Sequence, residues 1–209
     1  MADLFGSAEA LPEGVTHFPN HFDRDQQQSL LESIRAVVAD APLYTPKMPK
    51  TGKPMSVRMS NCGELGWVTD KDHGYRYQGH HPETGEPWPA MPSAFVELWN
   101  AVSGCEAPSQ AALINFYTTA SKMGLHQDRD EEDFSAPVVS ISLGDDCRFR
   151  IGGTSRGGKT QSLILKSGDV LVFGGKSRLA YHGVDRIYPG TSDLLKDGGR
   201  VNVTLRRVG

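Results

Sequence analysis

The chain has 209 residues, 38% of them hydrophobic and 22% charged, which suits one domain and excludes a disordered chain or a fibre. The 23 glycines and 13 prolines favour many turns and therefore β-structure. The net charge of −3 provides no overall attraction to nucleic acid, so local basic patches would have to hold such a partner. Two patches are candidates, although each could also be scattered solvated charges: Lys47, Lys50, Lys53 and Arg58, and Arg148, Arg150, Arg156 and Lys159.

The cysteines and the N-terminus indicate the compartment. Cys62, Cys105 and Cys147 are isolated, which argues against a disulfide framework or a zinc knuckle and favours a reducing compartment. The first fourteen residues lack the basic and apolar regions of a signal peptide. No stretch approaches the roughly 18 apolar residues of a membrane span. We therefore expect a cytoplasmic protein without membrane contact. A monomer is expected as well.

Two amphipathic helices are predicted in the first half of the chain. Apolar residues recur at helical spacing over residues 25–40, with Asp23 or Asp25 available as the N-cap and Pro42 beyond the end. The second helix covers residues 92–103, where a proline precedes the apolar stripe and a glycine follows it. Both helices are expected to be packing elements.

The segment between the helices, residues 43–91, is predicted to be irregular. It is rich in glycine, proline and lysine, and a segment this long without apolar periodicity is usually functional or disordered. Trp67, Tyr75, Tyr77 and Trp88 argue against disorder. We therefore predict a lid over a binding site.

From residue 111 onward, short strands alternate with turns, which predicts a jelly roll or barrel in a β-rich α+β fold. The predicted strands are Ala112–Tyr117, Pro137–Leu143, Cys147–Ile151, Gln161–Lys166, Asp169–Phe173, Leu179–His182 and Arg200–Arg207. The expected organisation is a single domain over 1–209. It divides into N-terminal helical support (1–42), a lid (43–91) and a jelly-roll core (92–209).

A possible metal site begins with His126 and Asp128, whose spacing places both side chains on one face of an extended segment. His182 follows at the end of a predicted strand. Two histidines and one carboxylate leave three coordination positions open, as in non-haem Fe(II) oxygenases, whereas structural zinc fills its four positions, typically with thiolates. The pattern is weak alone, because an HxD pair arises by chance and the chain has seven histidines.

The last predicted strand strengthens the metal hypothesis. Strict alternation places four polar side chains on one face: Arg200, Asn202, Thr204 and Arg206. One alternative is the solvated face of an edge strand. However, guanidinium groups bind carboxylates in a bidentate fork, and Asn115 and Tyr117 share a face of another strand. A dicarboxylate cradle beside an open metal suggests 2-oxoglutarate.

Motifs along nearly the whole chain match one family: MSVRMSNCGELGW at 55–67, YRY at 75–77, NFY at 115–117, LHQDRDE at 125–131, APVVSISLG at 136–144, SGDVLVFGGKSRLAYHGV at 167–184 and RVNVTLR at 200–206. The chain resembles the AlkB family of Fe(II)- and 2-oxoglutarate-dependent dioxygenases, in particular its bacterial DNA-repair branch. One departure is Phe173, where the family pattern leads us to expect tryptophan. This change keeps an aromatic ring and is expected to alter packing more than chemistry.

The resemblance implies a double-stranded β-helix that holds Fe(II) through His126, Asp128 and His182, with no further catalytic residue. The implied 2-oxoglutarate site comprises Asn115, Phe116, Tyr117, Arg200, Asn202, Thr204 and Arg206. Within it, Arg200 would pair with the distal carboxylate and Arg206 would lie near the end that chelates iron. O2 would take the remaining position.

The resemblance also implies DNA repair by oxidative demethylation of bases such as 1-methyladenine and 3-methylcytosine in DNA, with RNA left open. Succinate, CO2 and formaldehyde would be released. The implied substrate residues are Trp67, Tyr75, Arg76, Tyr77, Asp130 and Arg156. Trp67 would stack on the extruded base and Asp130 would accept from its amine. Without the resemblance, Trp67 would pass as a core residue.

Two alternatives remain open from the sequence. One is a 2-oxoglutarate oxygenase that acts on a protein side chain or a small molecule, since only residues 43–91 and 130–160 decide the substrate. The other is a non-catalytic binder of damaged nucleic acid. The intact HxD…H pattern argues against the binder, because a protein without catalysis has no need of all three ligands.

Overall fold

The computed structural model describes residues 10–209, and the helices lie where the sequence predicts them. Helix α1 spans Arg24–Asp40 and helix α2 spans Ser93–Val102. Asp23 caps α1 in a capping box: its carboxylate accepts from the Gln26 backbone N–H, and the Gln26 side chain accepts from the Asp23 N–H, both at 2.9 Å. The first nine residues lie outside the described residues. They include most of the fourteen-residue segment in which we expect no signal peptide.

Within residues 10–209, twelve strands account for most of the remaining regular structure. They are β1 Val15–Phe18, β2 Arg58–Gly63, β3 Gly66–Asp70, β4 Gly74–Gln78, β5 Ala111–Tyr117, β6 Met123–His126, β7 Val138–Gly144, β8 Asp146–Gly152, β9 Thr160–Leu165, β10 Val170–Phe173, β11 His182–Tyr188 and β12 Arg200–Arg206. A short 3₁₀ turn at Gly175–Ser177 precedes β11.

The strands form two antiparallel sheets and a hairpin. The major sheet has the order β1-β10-β7-β12-β5-β2, and the minor sheet has the order β6-β11-β8-β9. Strands β3 and β4 pair only with each other in a separate hairpin. The two sheets face each other across a shared core, which is the predicted jelly roll.

Alternation along the strands creates two cores, one on each side of the major sheet. On the outer side, Val201, Val203 and Leu205 of β12 pack with residues of α1 and α2 such as Leu31 and Trp99. On the inner side lies a second cluster between the sheets and the β3–β4 hairpin. Because period-two alternation points the polar residues of β12 inward, the polar stripe lies inside the jelly roll.

Two predictions about strands need correction. Residues 43–91 are not wholly irregular, because they contain β2, an edge strand of the major sheet, and the β3–β4 hairpin. Strand β2 shows no apolar alternation in the sequence because two of its buried residues, Ser60 and Asn61, are polar. Their side chains are satisfied by hydrogen bonds to backbone groups. The strand predicted at Leu179–His182 is a turn, and His182 begins β11 instead of ending a strand.

The position of β12 decides one of the alternatives. It lies between β5 and β7, and Arg200 and Arg206 are both buried. The solvated edge-strand interpretation is therefore wrong. The three cysteines are free thiols, as predicted. Within residues 10–209, no helix has the length and apolarity needed to cross a bilayer.

Candidate active site

A cavity of about 700 Å³ opens between the two sheets beneath the β3–β4 hairpin. The major sheet lines it with the polar stripe of β12, and the minor sheet contributes the histidines. The hairpin contributes Trp67 and Tyr75 at one side. Every predicted metal residue and most predicted co-substrate residues therefore face one space.

The three predicted metal ligands all line this cavity and converge within it. Their candidate ligand atoms all lie within 4.8 Å of one another. His126 Nε2 lies 3.6 Å from Asp128 Oδ1, and His182 Nε2 lies 3.7 Å from Asp128 Oδ2. The two histidines are directly opposite each other in the pairing of β6 with β11. Strand pairing thus joins residues that are far apart in the sequence.

Backbone hydrogen bonds set the orientation of both imidazole rings. The Nδ1 of His126 lies 2.9 Å from the Gly124 carbonyl, and the Nδ1 of His182 lies 2.9 Å from the Ala180 carbonyl. A carbonyl can only accept, so each ring carries its proton on Nδ1 and keeps the Nε2 lone pair free. This arrangement is typical of metal-binding histidines and fits Fe(II) with two nitrogens and one carboxylate oxygen.

Charged neighbours keep the carboxylate of Asp128 ionised. Burial by itself would raise the pKa of Asp128, but the Arg206 guanidinium and the neighbouring imidazole rings of His182 and His126 lower it below its ordinary range. Arg206 Nη2 lies 2.8 Å from Asp128 Oδ2. Burial and the neighbouring His126 lower the pKa of His182 to about 4, which favours the neutral ring that a metal requires.

Gly183 allows β11 to approach β6 closely enough to bring the histidines together. A Cβ at this position would lie only 2.5 Å from the Met123 carbonyl oxygen and 2.8 Å from that of Gly124. We expect Gly183→Ala to push the strands apart and to weaken Fe(II) binding at least tenfold, by analogy with other residues that orient metal ligands. Metal titration measures this, with Gly153→Ala as the control because a Cβ there meets nothing. Unchanged Fe(II) affinity would contradict the role of Gly183.

The polar stripe forms a cradle across three neighbouring strands. Tyr117 lies opposite Arg200, and Asn115 lies opposite Asn202 in the pairing of β5 with β12. The Arg200 Nη2 donates to Ser142 Oγ of β7 at 2.6 Å. Asn202 Nδ2 donates to Ser140 Oγ at 2.7 Å.

Unpaired atoms in this cradle indicate what it can hold. Arg200 is only 1% exposed, yet its Nε has no hydrogen-bond partner among the described residues, and neither has Asn115 Oδ1. A buried guanidinium without a carboxylate partner is costly, and an anionic ligand would offset that cost. The cradle therefore fits a dicarboxylate such as 2-oxoglutarate, with Arg206 near the metal at its other end.

Phe116 does not take part in the cradle. It lies between Asn115 and Tyr117 on β5, so its side chain points to the opposite face of the sheet. There it packs against the outer core and does not line the cavity. The NFY motif thus contributes its first and third residues to the cavity and its second to packing.

Trp67, Tyr75 and Asp130 meet at the mouth of the cavity. The Trp67 and Tyr75 rings stack with centroids 5.6 Å apart, and Trp67 Nε1 donates to Asp130 Oδ2 at 2.8 Å. The Trp67 backbone is fixed by the buried Asn61 side chain, which bonds both its N–H and its carbonyl. Trp67 therefore belongs to the inner core and also faces the cavity.

The other three predicted substrate residues lie away from the cavity wall. Arg76 donates to Asp70 at 2.7 Å on the hairpin itself. Tyr77 donates to Glu131 at 2.6 Å and accepts from Arg206 at 3.0 Å, so it ties the hairpin to the site from behind. Arg156 is exposed in the turn between β8 and β9.

Sequence reasoning missed two buried residues behind the metal ligands. The Glu131 side chain is fully buried, where Arg206 and Arg178 lie 3.2 Å from its oxygens. Arg178 also donates to the backbone carbonyl of Asp128 at 2.7 Å. As part of LHQDRDE, Glu131 resembles a solvated acidic run, and only the burial of its distant partners could have revealed this network.

Phe173, the position at which the sequence departs from the expected tryptophan, lies against a metal ligand. Its ring centroid is 4.7 Å from that of His182, and the side chain is buried. The phenylalanine lines the cavity and packs on the imidazole. It occupies an apolar position and donates no hydrogen bond to the site.

Comparison with known proteins shows the family of this chain. Residues 14–206 match the family model of the 2OG-Fe(II) oxygenase superfamily. The chain is 50% identical to an alpha-ketoglutarate-dependent dioxygenase AlkB homolog of Caulobacter vibrioides, over 93% of this chain and 87% of that protein. It is 40% identical to the alpha-ketoglutarate-dependent dioxygenase AlkB of Escherichia coli, over 100% and 99%.

A solved structure and a plant relative extend the comparison. The structure of OsALKBH1 superposes with a TM-score of 0.79 at 32% identity, covering 95% of this chain and 99% of that one. An Arabidopsis thaliana protein named DNA N(6)-methyladenine demethylase ALKBH1C is 43% identical over 96% of this chain and 50% of its own length.

The fold, the His126–Asp128–His182 cluster and the arginine cradle define a 2OG-Fe(II) oxygenase. Within that superfamily the chain belongs to the AlkB family, as the sequence motifs predicted. It is therefore an Fe(II)- and 2-oxoglutarate-dependent dioxygenase that uses O2.

Proposed function

We propose that the protein repairs alkylated DNA by oxidative demethylation of bases such as 1-methyladenine and 3-methylcytosine. Its relatives support this proposal, since the Arabidopsis protein is named a DNA demethylase. The proposal includes the release of succinate, CO2 and formaldehyde. The predicted cytoplasmic location and monomeric state remain predictions, as does the division into support, lid and core.

The observation that carries the proposal is the aromatic mouth of the cavity. A base must leave the stack to reach an enclosed site, and it is then held between flat side chains and by hydrogen bonds to its edge. Trp67 lines the same cavity as His126 and stacks with Tyr75, and Asp130 presents a carboxylate beside Trp67. The carboxylate suits the exocyclic amine of adenine or cytosine.

The metal ligands and the cradle are assigned to different groups that the reaction requires. We assign Fe(II) to His126, Asp128 and His182, and 2-oxoglutarate to the polar set Asn115, Tyr117, Arg200, Asn202, Thr204 and Arg206. The bound metal, 2-oxoglutarate and O2 supply the oxidising chemistry. The protein orients them: Arg206 keeps Asp128 ionised, and the apolar side chains of Leu113, Leu165 and Phe173 limit water around the cradle.

Replacement of Trp67 by alanine tests the stacking role. We expect a loss of about 1–3 kcal/mol in affinity for methylated oligonucleotide, the range of base–aromatic stacking. Decarboxylation of 2-oxoglutarate without substrate should survive. Trp67→Phe is the matched variant, because it retains an aromatic face and loses the bond to Asp130.

Three measurements on the Trp67 variants distinguish a stacking role from a structural one: affinity for the oligonucleotide, uncoupled turnover and melting temperature. A purely structural role predicts a lower melting temperature and the loss of both activities. Unchanged affinity in Trp67→Ala would show that another surface holds the base, and would favour a protein or small-molecule substrate.

Mass spectrometry of methylated DNA and RNA oligonucleotides tests the function directly. The protein is incubated with Fe(II), 2-oxoglutarate and ascorbate, and each product is compared with a reaction that lacks iron. Demethylation of one base type supports the proposal and identifies the lesion. Uncoupled succinate formation without any demethylation would favour another substrate class, and binding without succinate would favour a non-catalytic binder.

A further inference from the structure

The outer face of the minor sheet carries a row of arginines. In β8, Cys147, Phe149 and Ile151 are buried towards the core, so Arg148 and Arg150 point to the opposite face. Their side chains are 40% and 39% exposed. The sequence marks both as basic without indicating what lies next to them.

A surface groove runs along this face. It is lined by the loop at 119–122, which ends in Lys122, and by Arg148, Asp185 and Arg186 together with Ile187 and Pro189. Arg148 and Arg186 are directly opposite each other in the pairing of β8 with β11. We call this surface the basic groove, and it includes Lys122, Arg148 and Arg186.

The charges of the basic groove are unbalanced. Asp185 is the carboxylate in its lining; it accepts from Arg148 at 2.7 Å and lies 3.9 Å from Arg150. Arg186 lies over the Tyr188 ring at 5.3 Å. Like charges directly opposite in a sheet are destabilising, and one carboxylate cannot neutralise the surrounding cations. The groove therefore favours an anionic partner, although the whole chain is acidic.

The basic groove adjoins the mouth of the active-site cavity. Lys122 lines both spaces, and the next residue, Met123, pairs with Val184 of β11. From the ligand His182 to Arg186 there are four strand positions, or roughly 13 Å at about 3.3 Å per residue. That length corresponds to about four steps of a nucleic-acid strand at 3.4 Å each.

We propose that the basic groove binds the phosphodiester backbone of the same polynucleotide, on one flank of the base that enters the cavity. This inference rests on the proposed function. Guanidinium groups match phosphate in a bidentate fork, and such contacts position a strand without selecting its sequence. Trp67 and Asp130 would then select the base, while Arg148 and Arg186 would hold the flanking strand.

The double variant Arg148→Gln with Arg186→Gln tests the proposal. Affinity for a long methylated single-stranded oligonucleotide should fall on the order of tenfold at low salt, as for two exposed charge pairs. The slope of log affinity against log salt should become shallower by about 1.4, since each phosphate contact contributes about 0.7 on single strands. Demethylation of a methylated trinucleotide, which is too short to reach the groove, should be unchanged.

Three further variants serve as controls. Arg148→Lys with Arg186→Lys keeps the charges and should keep the salt slope. Arg24→Gln removes an exposed arginine of α1, on the opposite side of the major sheet, and should change nothing. Asp185→Asn should strengthen binding of the long oligonucleotide and steepen its salt dependence, a gain that misfolding cannot produce.

The outcomes separate this proposal from the proposed function. Wild-type activity on the trinucleotide tests the demethylase alone. If the protein demethylates but the glutamine double variant keeps its affinity and salt slope, the basic groove does not bind the backbone. Tighter binding in the double variant, or weaker binding in Asp185→Asn, would overturn the proposal equally.

Discussion

Replacing any one of His126, Asp128 or His182 by alanine is expected to abolish succinate release and demethylation. Each residue supplies one of three ligands from a cluster within 4.8 Å, and two remaining ligands leave the metal weakly held and exposed to water. The histidine variants should keep their fold, since the backbone hydrogen bond that each ring makes is to a carbonyl only two residues away. Fe(II) titration and succinate assays measure the loss.

Asp128 needs a second variant, because it also neutralises the buried Arg206. Removal of one partner of a buried ion pair costs about 3–5 kcal/mol, so Asp128→Ala is also expected to lower the melting temperature. Asp128→Asn keeps the volume and removes the charge. The matched control is His73→Ala, an exposed histidine in the turn of the β3–β4 hairpin. Wild-type demethylation by any of the three ligand variants would disprove the iron assignment.

Arg200→Ala is expected to raise the 2-oxoglutarate requirement much more than it changes the maximal rate. Truncation of one partner of a buried, bidentate charge pair typically costs about 2–5 kcal/mol, or roughly 30- to several-thousand-fold in affinity. Arg200 is buried at the far end of the cradle, where its Nε has no partner among the described residues. Titration of 2-oxoglutarate against uncoupled turnover measures the shift without a nucleic-acid substrate.

Two comparisons make the Arg200 result specific. Arg200→Lys keeps the positive charge but loses the planar guanidinium group that binds a carboxylate through two hydrogen bonds. The 2-oxoglutarate concentration that this variant requires should therefore lie between those of the wild type and the alanine variant. Arg207→Ala removes the arginine that follows the end of β12, which does not line the cavity and donates to the Pro108 carbonyl. A co-substrate titration unchanged in Arg200→Ala would mean that the distal carboxylate binds elsewhere.

Local sequence patterns predicted much of the core of this fold. The two helices agree with the structure because a capping residue and an apolar stripe are properties of a few neighbouring residues. The polar face of β12 was predicted for the same reason, since alternation along a strand is independent of its partners.

Two elements without a regular pattern of apolar residues, β2 and the turn before His182, were predicted poorly from the sequence. Strand β2 has no apolar alternation because it buries the polar residues Ser60 and Asn61. Hydrogen bonds to the backbone of Ala41 and Trp67 make this burial possible. The beginning of the predicted strand Leu179–His182 is a turn, because the Gly174 and Ser177 carbonyls accept hydrogen bonds from the N–H groups of Ser177 and Ala180. In β2 the deciding hydrogen bonds reach other segments of the chain, whereas the turn before His182 is made by bonds between residues three apart.

The residue types of the site can be read from the sequence: two histidines, one aspartate and a row in which arginines alternate with apolar side chains. Which of these groups come into contact depends on the folded chain. His126 and His182 face each other because β6 pairs with β11, and Lys122 joins Arg148 and Arg186 through the same sheet. Glu131 is a buried ion-pair partner and not a solvated acid because Arg178 and Arg206 reach it from distant strands and turns. The alternation in β12 and the cap of α1 depend on residues close together in the sequence, whereas contacts between distant residues depend on which strands pair.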